Sequence, residues 1–126
     1  MDQTSNKLPL AVVQRIVNSI NVNPRKVRWM NTEFIVKPVL SLQEYMETVT
    51  KIVNDCQDDA GSIAVGLIDF SLRTNVIAAY ANIELPSDIE ELFNLVFRTT
   101  LYDTVCSVIN SAQLQSIKNT VNLVMR

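Results

Sequence analysis

Ser62-Ile63-Ala64-Val65-Gly66-Leu67-Ile68-Asp69-Phe70-Ser71-Leu72-Arg73-Thr74-Asn75-Val76-Ile77-Ala78-Ala79-Tyr80-Ala81, wound as an α-helix, is apolar on nearly every face. That is the pattern of a helix enclosed by others rather than one lying on a surface, so residues 63–81 are expected to form a central post. The apolar stretch 63–83 is long enough to raise the question of a bilayer. Asp69, Arg73 and Asn75 lie inside it, and each is costly in hydrocarbon, so a buried helix is expected and membrane insertion is not. Asp69 and Arg73 are four residues apart in the orientation that favours a pair, and a buried or half-buried ion pair there would fix the helix register. Gly66 is expected where another backbone approaches closely.

On both sides of the post, helix-start signals recur. Ser41-Leu42-Gln43-Glu44 reads as a capping box, with the serine hydroxyl and the glutamate reciprocally satisfying orphan amides. It opens a helix over 42–56 with the stripe Leu42, Tyr45, Met46, Val49, Ile52, Val53 and Cys56. Asp55, Asp58, Asp59 and Gly61 then read as a polar turn; they lack the ligand ladder and distal glutamate of a calcium loop. Beyond the post, Ser87-Asp88-Ile89-Glu90 repeats the capping box and opens one long helix over residues 88–109. Asn110-Ser111 break it before a last stripe of Leu114, Ile117, Val121 and Val124.

Towards the N-terminus, residues 8–20 carry Val12, Val13, Ile16, Val17 and Ile20 at helical spacing, and Pro9 is acceptable in a first turn. Residues 1–7 are polar, without apolar period, and are expected to form a mobile tail, leaving 8–126 as a single helical domain. Asn21 to Pro24 end the first helix. Val27, Trp29, Phe34 and Val36 then alternate with polar neighbours, which predicts a small β-hairpin over 27–36. The turn lacks an Asn-Gly pair, so a single strand over 33–36 stays open. The expected fold is mainly α, about five helices around the buried central one, with that hairpin. At 126 residues, one core burying roughly two thirds of the unfolded surface suffices.

The chemistry of the chain is defined by what it lacks. It has no histidine and only two glycines, so imidazole proton shuttles and metal ligands are missing and a glycine-rich phosphate loop is not formed. No base stands beside a serine, threonine or cysteine in a recognisable motif. The expectation is therefore a non-enzymatic protein without cofactor or metal. Cys56 and Cys106 are isolated in apolar helical contexts and read as core thiols; with no secretory leader read in the chain, a reducing compartment is expected.

Charge is unevenly placed. Residues 1–40 carry six basic and two acidic side chains, net +4, and residues 41–126 carry five and eleven, net −6, giving −2 overall. The asymmetry reads either as solvated faces or as complementary contact between neighbouring subunits. Within the basic third, Asn23-Pro24-Arg25-Lys26-Val27-Arg28-Trp29 is the candidate interaction cluster, with Arg25, Lys26, Arg28 and Trp29 as its contact residues. Three readings stand: a solvated hairpin face over a buried Trp29, a protein contact anchored by an exposed Trp29, and a nucleic-acid site. The last is disfavoured by so small a footprint on an acidic chain.

Phe34-Ile35-Val36-Lys37-Pro38-Val39-Leu40-Ser41-Leu42 before one capped helix, and Tyr80-Ala81-Asn82-Ile83 before the next, resemble small proteins encoded among the virion genes of tailed bacteriophages and prophages of Gram-positive bacteria. In those, an extended segment ending in a Val-Lys step leads into a helix, and a central helix ends in a Tyr-x-Asn-Ile step. The matching spans run discontinuously over about residues 34–101. The resemblance implies a virion component or assembly factor, such as a tail assembly chaperone or connector part, and carries over no catalytic residues. Protein partners, by self-association or with other virion proteins, in the cytoplasm of a bacterial host or in the virion, are the corresponding expectation. The alternatives are a small nucleic-acid-binding regulator using Arg25, Lys26 and Arg28, and a phage-encoded inhibitor of a host protein.

Overall fold

A computed structural model describes residues 6–125; residues 1–5 of the expected mobile tail lie outside the described residues. The chain is mainly helical with one two-stranded antiparallel hairpin, as the sequence predicts. In chain order the elements are α1 (Leu10–Asn18), β1 (Arg25–Trp29), β2 (Thr32–Val36), α2 (Leu42–Asp55), α3 (Ile68–Tyr80), α4 (Ile89–Arg98), α5 (Leu101–Cys106) and α6 (Ser111–Val124).

The post stands in the centre, since α3 lies against α2, α4 and α5, but it is shorter than the apolar run. Residues 62–67 are not part of it. Cys56 and Ile63–Ala64 bond backbone to backbone across the Asp58 turn, with Ala64 N–H donating to Cys56 O at 2.8 Å and Gln57 bridging Ile63. The run continues through a single 3-10 turn, Val65–Leu67, before α3 begins. Two β-branched residues and a glycine in this stretch are poor helix formers, which lets the turn's hydrogen bonds take the backbone instead. Gly66 faces open space, with nothing within 4 Å of where a Cβ would sit, so the expected close backbone approach is absent.

The buried face of α3 is mixed: Ser71 and Asn75 alternate with Val76, Ile77 and Tyr80. The two polar residues join α3 to α2. Ser71 Oγ donates to Ile52 O at 3.0 Å, and Asn75 Nδ2 donates to Asp55 Oδ2 at 3.1 Å and to Ser71 O at 2.9 Å. Burying these groups is tolerable because each is paired.

α2 starts where its capping box predicts, with Ser41 as N-cap and both reciprocal bonds formed. Its buried face holds Thr48, Ile52 and the C-cap Cys56, whereas Leu42 and Met46, assigned by spacing to the core stripe, are exposed. Thr48 can be buried because its hydroxyl donates to Glu44 O one turn back at 2.7 Å.

The single long helix expected over 88–109 is two helices. Thr99 is extended, and its hydroxyl donates to Leu95 O while accepting the Leu101 N–H at 3.2 Å. One side chain thus closes α4 and opens α5, competing successfully with the helical backbone bonds. The second cap also sits one residue later than the Ser87 box: Asp88 is the N-cap and accepts from Glu91 N–H. α6 begins at the Asn110 break, where Asn110 Oδ1 accepts from Gln113 N–H at 3.0 Å.

The hairpin is present in full register from Arg25 opposite Val36 to Trp29 opposite Thr32. Met30 and Asn31 form its two-residue turn with φ of 48° and 63°, the left-handed conformation that such hairpin turns demand. The far edge of β2 is covered by the end of α3: Val36 bridges Ala81, Lys37 N–H donates to Tyr80 O at 2.8 Å, and Ile35 N–H donates to Asn82 Oδ1 at 2.7 Å. Every fully assigned core residue lies between Val27 and Val121, and none belongs to α1.

Candidate interaction surface

The basic cluster is split by the pleat of β1. Val27 is buried and Trp29 half-buried beneath the hairpin, while Lys26 and Arg28 point outward and Arg25 sits at the inward-facing end. Alternation of side chains along a strand forces this division. Only Lys26 and Arg28 therefore share the outer face, and Arg28 lies across from Glu33, which dilutes its positive field. The indole is not a free anchor: Trp29 Nε1 donates to Thr100 Oγ1 at 3.0 Å, tying β1 to the N-terminus of α5. Of the expected contact residues, the structure brings Lys26 and Arg28 together, gives Trp29 a structural partner and leaves Arg25 apart.

Asp69 and Arg73 do form the expected pair, with Nε 3.1 Å from a carboxylate oxygen. Asp69 is more than half exposed while Arg73 is half-buried, so the pair lies at the edge of the core and not within it. Arg73 is held chiefly by rings, its guanidinium carbon lying 4.8 Å from the Phe97 centroid and 4.9 Å from that of Tyr102. The interaction is cation–π as much as ionic, and it ties α3 to α4 and α5 rather than setting the register of α3.

Around that guanidinium runs an aromatic seam. Phe70 stacks on Phe93 and Phe97 with centroids 5.9 Å apart in each case, and Phe93 and Phe97 are 5.0 Å apart. Instead of closing into the core, the seam opens to the surface as a groove of about 270 Å³ lined by Leu67, Phe70, Ile89, Phe93 and Phe97, with Glu90 on its rim. A second hollow continues it past Phe70 and Ile89 towards Asp55 and Thr74. Thr74 Oγ1 is buried there and has no hydrogen-bond partner among the described residues.

A second unpartnered apolar surface is α1. Wound as a helix, Leu10, Val13, Ile16 and Val17 share one face and Gln14, Arg15 and Asn18 the other. The apolar face is bare: Leu10, Ile16 and Val17 are 69%, 53% and 57% exposed, and Val12, at its margin, is the one half-buried residue of the helix. The sequence pattern contained this signal, an amphipathic period over residues 8–20, but could not say that no counterpart in the chain would cover it.

The thiols have neighbours that make them poor nucleophiles. Burial pushes both Cys56 and Cys106 above the usual thiol range, and both are free. No group of three or more histidine, cysteine, aspartate or glutamate side chains converges among the described residues, and no described helix is long and apolar enough to cross a membrane. No known family model, curated protein or solved structure matches the chain.

Proposed function

We propose that the protein is a non-enzymatic, phage-type virion or assembly component, of the tail assembly chaperone or connector kind, that works in a bacterial host through protein–protein contacts. The observation that carries this reading is that two apolar surfaces are exposed, the bare face of α1 and an aromatic groove on the body. Apolar surface of that kind, rimmed by charge, is characteristic of interaction sites. We assign the contact to α1 in preference to the hairpin, whose Trp29 is half-buried and donates to Thr100.

The reading is tested by light scattering on purified protein across a wide concentration range, together with capture from an induced or infected lysate using tagged protein. Association with itself or with virion proteins is expected. A strict monomer at high concentration with no virion partner recovered would overturn it. Retention on DNA that falls steeply with salt and is lost when Arg25, Lys26 and Arg28 become alanine would favour the nucleic-acid alternative instead.

A further inference from the structure

We infer that the groove between α3 and α4 receives α1 of a second copy of this chain. The inference rests on the assembly reading and specifies its contact. Each side supplies what the other lacks. The groove presents Leu67, Ile89 and Phe93 to solvent over a stacked aromatic floor, and α1 presents Leu10, Val13, Ile16 and Val17 to solvent from one helix face. A single amphipathic helix laid in an apolar groove is a recurrent recognition mode, read through anchors three and four residues apart.

Charge complements shape. Residues 6–18 carry Lys7 and Arg15 and no acidic residue, whereas Asp88, Glu90 and Glu91 begin α4 at the groove and Asp55 lies along its continuation. With the apolar faces of α1 and the groove in contact, Arg15 on the polar face stays at the solvent margin, where rim charges steer encounter.

The chain's own α1 is badly placed for the same seat. Phe70 to Ala81 along α3 is about 17 Å, and β1 begins about 10 Å farther to the side, two strand spacings from Ala81. The two displacements combine to about 20 Å, and the seven steps from Asn18 to Arg25 reach about 23–25 Å at full extension, so the linker would have to be nearly straight. It is bent here: Ser19 Oγ donates to Ile16 O at 2.6 Å and Asn23 N–H donates to Asn21 Oδ1 at 3.0 Å. A neighbour's helix meets no such tether.

A helix of one copy in the groove of the next is a head-to-tail contact. Two copies that exchange helices reciprocally close as a dimer, and a one-way contact leaves a free helix and a free groove at its ends and builds rings or filaments.

The test uses two variants of the full chain. Ile16→Ala with Val17→Ala removes the anchors of α1 while raising its helix propensity; Ile89→Asp places a charge in the groove at an exposed helix N-terminus, where a carboxylate does not disturb folding. Unchanged far-ultraviolet circular dichroism and melting temperature establish that both are folded. In sedimentation velocity the wild type is expected to associate, and each variant to associate about 30-fold or more weakly, as on loss of a central anchor. An equimolar mixture of the two variants is expected to regain a complex of two molecules, because one supplies an intact groove and the other an intact helix.

A wild type that associates while Ile89→Asp associates equally well overturns the groove and leaves the assembly reading standing. Two disabled variants that form no complex when mixed overturn the pairing of helix with groove. A monomeric wild type whose α1 amides are protected from exchange, and lose that protection in Ile89→Asp, shows the chain's own helix in the seat and overturns the second copy. A monomeric wild type without such protection overturns the inference, and the assembly reading is then decided by capture of virion partners.

Discussion

The Tyr80 hydroxyl at the end of α3 donates to Gln113 Oε1 in α6 at 2.6 Å, and the same oxygen accepts the Leu40 N–H at 2.7 Å while Gln113 Nε2 donates to Leu40 O at 3.0 Å. One amide side chain therefore holds the strand-to-helix segment before α2 against two helices. Asn110 N–H, donating to Pro38 O at 2.8 Å, fastens the same segment two residues earlier. The rest of the core around Tyr80 is apolar, so these bonds fix which way the segment lies in a mass of otherwise interchangeable contacts.

The two partners are unequal. Tyr80→Phe removes one donor from an oxygen that keeps its bond from Leu40, and is expected to cost about 1 kcal/mol. Gln113→Leu strands the Tyr80 hydroxyl and both backbone groups of Leu40, and is expected to cost about 3 kcal/mol or more. Urea unfolding of both single variants and the double variant measures the difference. Equal costs would mean that the amide is replaced by water and does not organise the segment.

The hairpin turn stores strain that can be removed. Met30 and Asn31 both have positive φ, and Met30 is 70% exposed, so its side chain contributes little burial. Replacing the pair by Asn-Gly, which adopts this turn readily, is expected to stabilise the protein by about 1 kcal/mol. Thermal unfolding checks it. A fall in melting temperature would show that Met30 has packing that its exposure does not reveal.

Much of this architecture is legible in the sequence, and the exceptions have local causes. The Ser41 box and the Asn110 break follow from side chains acting on their own backbone within a few residues, whereas the alternation over 27–36 marks extended chain and leaves hairpin and single strand open. The split at Thr99 turns on which of two competing hydrogen bonds a threonine makes, and periodicity carries no information on that choice. The missing first turn of the central helix and the exposure of Leu42, Met46 and α1 are consequences of tertiary placement, since an apolar stripe specifies that a face wants cover and not whether this chain supplies it. The same limit applies to the interaction surface. Residues 25–29 stand out as basic and aromatic, while Phe70 is distant in sequence from Phe93 and Phe97, which lie one turn apart on α4, and the three meet only in the fold.

Arg73 is expected to matter more than its acidic partner. Asp69 is over half exposed, and an i,i+4 pair with one partner so exposed is worth a few tenths of a kcal/mol, so Asp69→Ala should cost about 0.5 kcal/mol or less. Arg73→Ala loses the contacts with Phe97 and Tyr102 as well and should cost about 1–2 kcal/mol. Lysine at position 73 keeps the charge but not the planar stacking, and should recover less than half of that loss. Chemical unfolding orders the three variants; equal effects of Asp69→Ala and Arg73→Ala would restore the ion pair as the dominant link.

Glu44 gives the protein a defined acid limb. Its carboxylate receives Lys37 Nζ and the Ser41 N–H, and these hold its pKa at about 2, down from 4.5. A carboxylate whose pKa is depressed on folding contributes stability that is complete above the unfolded-state value and disappears as pH falls through the folded one, so the window here runs from about pH 4.5 to about pH 2. The side chains are partly exposed, at 36% for Lys37 and 42% for Glu44, and solvent screening keeps the contribution to about 1 kcal/mol or less. Glu44→Gln retains an acceptor for the capping box but loses the charge. It is therefore expected to be slightly less stable than the wild type at neutral pH and to converge with it as the pH approaches 2. Glu44→Ala loses the Ser41 bond too and should stay below the wild type even at the acid end. Urea midpoints measured across this range decide the matter: a constant gap between wild type and Glu44→Gln would show that Lys37 does not hold the carboxylate in solution.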